Sequence, residues 1–337
     1  MKTLKELETG KNLNIQLTRF IASWLVIFSH SYTLTVEEDG IEPLKMLTGG
    51  RIYASSLAVI IFFLIGGYYI SKSAERIGDA KRFFAARLKK LWLPLAAVTV
   101  VTALLGVFIS SHTPGQYFGN MQTYKYLLNG LFVPVHQLPG VFEHNIYANV
   151  VNGALWTMPV ELACYVVCYV MYKLKFLTKK YYKFTIPVAV MVALAMIIFE
   201  KQCASFHVII RACLAFYIGM GIYVYRDKIR ISKPAGLICL LLFVVTLLLK
   251  QPDVGIYLFL PYVMLVLWFG FGSVNERISS LGNLSFGMYL VAFPVSQTIM
   301  HFFDNDISIW LNCLLTTVIA MILGALIYHF LEKPRSR

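Results

Sequence analysis

Runs of about 20 apolar residues recur along the whole chain and limit what it can fold into. A helix of that length crosses the hydrocarbon core of a bilayer, which is about 30 Å thick. In lipid the backbone must satisfy its own hydrogen bonds, which favours helices. The predicted fold is therefore all-α, a single polytopic membrane domain over residues 1–337. The runs predict about ten transmembrane helices, at residues 14–35, 52–71, 91–111, 154–173, 184–200, 206–225, 234–250, 256–272, 284–303 and 308–330.

Lysine and arginine residues alternate between the two sides that these spans define. Of the 30 basic residues, 23 fall in one set of segments: the N-terminal arm, the C-terminal tail and residues 72–90, 173–183, 226–233 and 273–283. The opposite set holds five. Segments rich in Lys and Arg stay on the cytoplasmic side. Both termini are therefore predicted to be cytoplasmic.

The composition excludes several other classes of protein. Charged residues make up only 14% of the 337 residues, against roughly a quarter in soluble domains. The net charge of +13 lies in short segments between spans, so no nucleic-acid partner is expected. The six cysteines lie in or beside apolar segments without zinc-like spacing, so neither a metal site nor a disulfide framework is expected. The first span lacks a small-residue cleavage site and is not expected to be a removable signal peptide.

Two connections on the predicted outer side differ in length and composition. Residues 36–43 are short and acidic, whereas residues 112–153 form a long extracytoplasmic loop rich in Tyr, Phe, Gly and Pro. Loops this long are usually functional or disordered, and the aromatic content argues against disorder. We expect an ordered loop with a short interfacial helix near residues 122–132.

Four ionisable residues lie inside predicted spans: Arg19, His30, Glu161 and Arg211. A charge in a span is expensive unless it faces a cavity or a partner, so each is a functional candidate. Structural roles are open alternatives. Arg19 could snorkel to the interface, His30 could be a hydrogen-bonded core residue, and Glu161 could pair with Arg211.

Helix geometry places Arg19 and His30 on one face of the first span. The eleven steps between them turn an α-helix through about 1100°, which leaves the side chains about 20° apart and about 16 Å apart along the axis. Since the span leaves the cytoplasm at Arg19, His30 is predicted in the outer half of the membrane. Glu161 lies about 7 Å below Trp156, an aromatic residue typical of the interface, and so at a similar depth. A carboxylate beside an imidazole raises its basicity and prepares it to take a proton from a hydroxyl.

The segment KSAERIGDAKRFFAARLKKLWLP (72–94) places seven basic residues just before a span. Topology accounts for part of this charge. Arg87 and Lys90, near the membrane entry, also suit an anionic phosphate ligand, and phospholipid head groups would satisfy them equally well.

Several sequence blocks together resemble the membrane acyltransferase 3 family. The arginine, ten residues and histidine of RFIASWLVIFSH (19–30) are similar to the signature of its first span. The other blocks follow in family order over nearly the whole chain: IIFFLIGGYYIS (60–71), RFFAARLKKLWLP (82–94), GALWTMPVELACYV (153–166), LGNLSFGMYLVAFPV (281–295) and YHFLEKP (328–334). The ordered set is more specific than any single block.

The resemblance implies a reaction and a set of site residues. Members of the family move an acyl group, usually acetyl, from cytoplasmic acyl-CoA to a hydroxyl of a cell-surface or lipid-linked glycan. Arg19 and His30 match the family's essential pair, and Glu161 matches the glutamate after its Leu-Trp-Thr/Ser block. The basic cluster that opens the family's third span corresponds to Arg82, Arg87 and Lys90.

The chain departs from the family pattern in two places. The second-span block usually resembles Phe-Ser-Gly, where this chain has Ile-Gly-Gly at 65–67. The late block often has a histidine after Tyr-Leu-x, where this chain has Ala292. If that histidine assists catalysis in the family, its role here is either vacant or filled by another residue, such as His301 or Tyr289. Both departures concern the acceptor more than the reaction.

The leading hypothesis is direct acyl transfer within the membrane. The phosphates of acyl-CoA would bind at the cytoplasmic mouth on Arg19, Arg82, Arg87 and Lys90. The pantetheine arm would extend along the face shared by Arg19 and His30. The acceptor hydroxyl would enter beneath the 112–153 loop, with Trp156 and Tyr289 on the acceptor side. His30 would act as general base. A covalent acyl-histidine intermediate is a second mechanism that the residues allow.

The expected partners are acyl-CoA, a glycan or lipid-linked sugar acceptor and the lipid bilayer. No permanently bound cofactor is expected, and acetyl-CoA would be a cosubstrate. The expected location is the cytoplasmic (inner) membrane of a bacterial cell. A proton-coupled transporter or flippase of a polar or lipid-linked solute is the alternative, because buried Arg, His and Glu suit it too; the lack of an evident inverted repeat argues against it. A non-catalytic scaffold would leave the buried charges unexplained.

Overall fold

The protein, described here by a computed structural model, is defined over residues 2–8, 12–36, 42–199 and 204–333. Within these ranges it is helical and forms no β-strand, which confirms the predicted all-α class. The helices are α1 (Leu4–Leu7), α2 (Leu13–Thr35), α3 (Pro43–Leu47), α4 (Ala54–Ile77), α5 (Ala80–Leu105), α6 (Pro114–Gly119), α7 (Met121–Tyr126), α8 (Thr157–Lys173), α9 (Lys179–Ile198), α10 (Ala204–Val224), α11 (Lys233–Leu248), α12 (Pro252–Val254), α13 (Leu260–Phe269), α14 (Glu276–Ser280), α15 (Ser285–Phe302) and α16 (Ile309–Ile327).

Each predicted span contains a helix, but some helix ends differ from the predicted ones. α4 continues to Ile77 and α5 already begins at Ala80, so both run into the basic segment 72–94. Lys, Arg and Ala are good helix formers in water, so a helix can continue beyond its apolar part. Hydropathy therefore marks the apolar part of a helix and not its full length.

Among the described residues, five helices are long and apolar enough to cross a membrane. The number rises to six if Glu276–Asn283 and Ser285–Phe302 form one broken span. These helices support a polytopic membrane protein. The count of ten crossings and the cytoplasmic side of the termini stay predictions.

The chain divides into two compact units. Unit 1 comprises Met1–Ala22, Pro43–Phe83 and Val160–Gly282, and unit 2 comprises Ser23–Glu42, Phe84–Pro159 and Asn283–Arg337. The helices α2, α5 and α8 contribute residues to both units.

In unit 1, α4 and α10 pack with their backbones in close approach. A Cβ atom on Gly67 would overlap the carbonyl oxygen of Phe216, and one on Gly219 would overlap that of Leu64. Small residues at helix crossings are common in membrane proteins, because close packing replaces the hydrophobic effect as the source of association. The Ile-Gly-Gly block thus retains a glycine where the packing requires one.

In unit 2, the long connection 112–153 is folded around a core of its own. Tyr117, Tyr126, Leu138 and Phe142 are buried together with Ala103 of α5. The Tyr117 hydroxyl donates to the Ala103 carbonyl at 2.7 Å, and burial raises the pKa of Tyr117 to about 12. α7 and the 3₁₀ turn Leu127–Leu131 confirm the helix predicted near residues 122–132. Most of the acidic connection 36–43 lies outside the described residues.

Candidate active site

Arg19 and His30 lie on one uninterrupted helix, α2, which runs from Leu13 to Thr35. Because no break separates them, the two residues share a face of the helix and are about 16 Å apart along its axis. Arg19 belongs to unit 1 and His30 to unit 2.

The rotation of α2 within unit 2 is fixed from two sides. Phe28 and Tyr32, one turn apart, both lie against Trp310, with ring centroids 6.0 and 6.4 Å away. His30 lies two residues from each and so on roughly the opposite face. There its imidazole meets the Phe293 ring edge-on, with centroids 5.1 Å apart and planes at 77°.

His30 presents a polar atom that the protein does not satisfy. Its Nδ1 is buried and has no hydrogen-bond partner among the described residues, although the side chain as a whole is partly exposed. Buried polar groups in folded proteins are nearly always hydrogen-bonded, and exceptions call for an explanation such as a catalytic role. The imidazole is available to a ligand or a water molecule.

The connection 112–153 is tied to α15 beside His30. Tyr147 packs on Phe293 with centroids 6.0 Å apart, and the Phe293 ring occupies the space that a Cβ on Gly153 would need. One turn further along α15, the Gln297 amide donates to the Tyr147 carbonyl at 2.6 Å and accepts from Asn145 at 2.8 Å. The ring that contacts His30 is thus positioned by residues of the connection and of the segment that follows it.

Tyr289, predicted on the acceptor side, is a buried positioning residue. Its hydroxyl donates to the Ala154 carbonyl at 2.9 Å and lies 2.8 Å from Thr157 Oγ1. These contacts join α15 to the turn that leads into α8. Trp156, the other predicted acceptor-side residue, lies in that turn with its side chain partly exposed.

In the block 281–295, the position at which the family often has a histidine carries a buried alanine in this protein. Ala292 is 2% exposed and has no polar group. His301 lies at the C-terminal end of α15 beside Phe142, with ring centroids 6.2 Å apart. It is about 12 Å along the helix from Phe293, the residue that contacts His30.

Glu161 lies on α8 in unit 1. Tyr165, one turn later, donates its hydroxyl to the Glu161 carboxylate. Because His30 belongs to unit 2, the predicted action of Glu161 on His30 stays a prediction.

Arg211 is paired with Asp253, a residue that the sequence did not single out. The guanidinium is bidentate, with Nε to Oδ1 at 2.6 Å and Nη2 to Oδ2 at 2.8 Å, and Nη1 donates to the Arg51 carbonyl at 2.8 Å. Both side chains are buried, and His207 Nε2 lies 3.6 Å from Asp253 Oδ2. The alternative in which Arg211 pairs with Glu161 is therefore wrong. The signal for Asp253 was present, since a lone carboxylate precedes the apolar segment 256–272.

Three of the four basic residues predicted to bind acyl-CoA lie on the first turns of α5, and the fourth, Arg19, lies on α2. Arg87 is half-buried and Lys90 exposed, and their spacing of three residues places them on one face. Arg82 is exposed and points about 140° away from Arg87 around the helix. Asp79 caps the start of α5, accepting from the Arg82 backbone N–H at 2.9 Å.

An apolar cavity of about 710 Å³ lies in unit 2 among α5, α15 and α16. Its α15 lining includes Val291, Pro294, Val295 and Thr298, which are centred on the side of the helix opposite Phe293. The cavity therefore lies on a different face of α15 from the one that contacts His30.

The helical fold, the membrane-length helices and the buried imidazole together define a polytopic membrane protein with an ionisable site. Residues 12–329 match the acyltransferase domain of the acyltransferase 3 family. The chain belongs to this family and is an acyltransferase.

Two relatives are similar to this chain. An O-acetyl transferase of Shigella phage Sf6 is 27% identical over 329 residues, which cover 94% of this chain and 93% of the relative. Nodulation protein 10 of Rhizobium leguminosarum bv. viciae is 27% identical over 168 residues, which cover 48% of this chain and 44% of that protein. No solved structure matches the chain.

Proposed function

We propose that the protein is an O-acyltransferase that moves an acetyl or other short acyl group from cytoplasmic acyl-CoA to a hydroxyl of an extracytoplasmic or lipid-linked glycan. The observation that supports this most directly is the unsatisfied Nδ1 atom of His30, on the face of α2 that also holds Arg19. Similarity to an O-acetyl transferase over nearly the whole chain supports the acetyl group. A transporter or flippase would leave membership of an acyltransferase family unexplained.

The proposed setting is the cytoplasmic membrane of a bacterial cell, with ten crossings and both termini inside. The 23 basic residues on one set of segments support this orientation. Arg19 and the start of α5 then face the acyl-CoA pool, and the connection 112–153 faces outward with the acceptor.

On the donor side, the proposed ligands of the acyl-CoA phosphates are Arg19, Arg82, Arg87 and Lys90. Guanidinium and ammonium groups form charge-assisted hydrogen bonds with phosphate oxygens. Arg82 and Arg87 point in different directions around α5. This arrangement suits a donor that carries phosphates at more than one position.

At the reacting centre, His30 acts as general base. Its imidazole takes the proton of the acceptor hydroxyl while the oxygen attacks the thioester carbonyl carbon. The C–S bond of the tetrahedral intermediate then breaks, and the CoA sulfur receives the proton from the imidazolium. General base catalysis contributes roughly 10²–10⁴-fold, and holding the two substrates in line contributes more.

Three further residues complete the proposed site. Glu161 would orient the imidazole from α8 and stabilise its charged form. Trp156 offers an aromatic face to the acceptor, and Tyr289 fixes the turn that holds Trp156.

The test is acetyl transfer in reconstituted vesicles that contain labelled acetyl-CoA and glycolipid extracted from the source membrane. We expect thiol release to depend on the extract, and label to appear in its glycan. A His30→Ala variant that inserts and folds normally should lose both signals. Wild-type transfer by that variant would eliminate the general-base role.

Direct transfer and an acyl-histidine relay differ in what accumulates without acceptor. Acid quenching of the protein with labelled acetyl-CoA alone should leave no label on the chain if transfer is direct. Label retained by the wild type and absent from His30→Ala would establish the relay instead.

A further inference from the structure

The N-terminal residues 2–8, called the strap below, are fastened to unit 1. The Leu4 side chain is fully buried, and Thr3 and Glu6 form a capping box around α1. Three backbone hydrogen bonds join the strap to residues 226–231: Leu4 N–H to Ile229 O at 2.8 Å, Lys5 N–H to Arg226 O at 2.9 Å and Ile231 N–H to Lys2 O at 3.2 Å. The strap, whose last residue is Glu8, is therefore held in place by backbone hydrogen bonds and by the buried Leu4 side chain.

Glu8 places a carboxylate in the part of unit 1 that also contains Arg19, one of the predicted donor ligands. It forms an ion pair with Lys72 near the C-terminal end of α4, and its side chain is only 13% exposed. Tyr69, on the same helix, lies within electrostatic reach of both Glu8 and Arg19. Glu8 and Arg19 thus both lie around Tyr69, which precedes Lys72 by three residues on α4.

The neighbouring acid has other partners. Glu75, one turn beyond Lys72, accepts from the Tyr223 hydroxyl and lies 3.5 Å from Arg226. Glu8 is thus the acid that this arrangement places on the Lys72 ammonium. A carboxylate and a phosphate oxygen accept the same charge-assisted hydrogen bond from Lys, so one can replace the other.

We propose that the Glu8 carboxylate occupies a phosphate subsite of the acyl donor, and that Lys72 is the cation of that subsite. Donor binding replaces the carboxylate by a CoA phosphate on Lys72, and the end of the strap moves aside. The inference rests on the proposed function, whose donor site it extends by two residues.

The competition between Glu8 and phosphate predicts opposite effects on CoA affinity, measured by calorimetry on the full chain in phosphatidylcholine nanodiscs. Glu8→Gln should lower the Kd for CoA about threefold, because the competing charge of a partly exposed pair is removed. Lys72→Met should raise the Kd about tenfold, because a charge-assisted hydrogen bond is lost. In the double variant, Glu8→Gln should give no further gain.

A second ion pair in unit 1 provides a matched control. Lys179 at the start of α9 pairs with Asp227, and this hydrogen bond holds the pKa of Asp227 below its usual range. The Lys side chains of the two pairs are similarly exposed, 42% for Lys179 and 40% for Lys72. Asp227→Asn changes the net charge as Glu8→Gln does and should leave the Kd for CoA unchanged.

Each remaining outcome has a defined consequence. An unchanged Kd in Glu8→Gln, or an equal change in Asp227→Asn, would overturn the inference while leaving the proposed function intact. A wild-type protein that binds no CoA would overturn both. An effect of Glu8→Gln that requires phosphatidylglycerol in the nanodiscs would assign the subsite to lipid head groups and reject the CoA assignment.

Discussion

At the scale of single residues, Arg19 and His30 should have different kinetic signatures. Arg19→Ala removes a phosphate ligand, so we expect the KM for acetyl-CoA to rise about tenfold while kcat at saturation falls less. His30→Gln should instead lower kcat by roughly 10²–10⁴-fold, because the base acts only in the transition state. Thiol release at varied acetyl-CoA concentration measures both. Arg277→Ala, an exposed arginine on α14, serves as control, and a matching KM increase there would indicate a general charge effect.

The buried pair of Arg211 and Asp253 should matter for stability more than for chemistry. Asp253→Asn leaves a buried guanidinium without its counter-charge, which typically costs about 3–5 kcal/mol. We expect a clearly lower Tm of the purified protein in detergent. The double variant Arg211→Met with Asp253→Leu should recover much of the loss, because no charge then remains unpaired. Asp227→Asn, in an exposed pair, should change the Tm little, and a double variant no more stable than Asp253→Asn would contradict this account.

At the scale of elements, two adjacent glycines on α4 should respond oppositely to alanine. A Cβ on Gly67 would overlap the Phe216 backbone, whereas a Cβ on Gly66 would make ordinary contact with the Phe216 ring at 3.4 Å. Gly67→Ala should therefore destabilise the α4–α10 crossing by about 1–3 kcal/mol. Gly66→Ala should be neutral or stabilising by up to about 1 kcal/mol, since alanine is the better helix former. Melting curves of the two variants would decide, and equal Tm values would show that α4 and α10 can separate at no cost.

The elements also show how far the sequence alone could lead. α15 and α2 were predicted to within two residues of their observed ends, because their apolar runs coincide with their helical length. The segment 256–272 is instead part of a helix over Pro252–Phe269 that contains a π turn at Gly255–Phe259, next to Pro261, which lacks the N–H that would bond one turn back. A hydropathy pattern does not show that this backbone N–H is missing.

In the candidate site, positions within one helix could be predicted from the sequence, whereas contacts between helices could not. Arg19 and His30 could be paired from the sequence because both lie on one helix with a fixed period. The partner of Arg211 lies 42 residues away on another helix, and the Tyr289 hydroxyl bonds across 135 residues. Such contacts depend on tertiary packing, which hydropathy and charge patterns do not reveal.

At the scale of the whole molecule, the topology prediction requires crossings by helices that are not among the five membrane-length ones, and α8 is one of them. α8 spans Thr157–Lys173, 17 residues, or about 25 Å. This is near the lower limit for a span, and α8 is not among the five helices that meet the length and hydropathy criteria. If α8 crosses, the connection 112–153 and the basic segment 173–183 lie on opposite sides, and Glu161 lies within the membrane as the proposed mechanism requires.

Cysteine labelling at two positions shows whether or not α8 crosses the membrane. Tyr124→Cys lies in the connection before α8 and Thr178→Cys in the short turn after it. A membrane-impermeant maleimide should label Tyr124→Cys in intact spheroplasts and Thr178→Cys only after permeabilisation, because lysine-rich segments stay inside. The wild-type protein sets the background, with Cys164, Cys168 and Cys313 buried. If both variants were labelled without permeabilisation, α8 would not cross, and an orienting role for Glu161 inside the membrane would have to be abandoned.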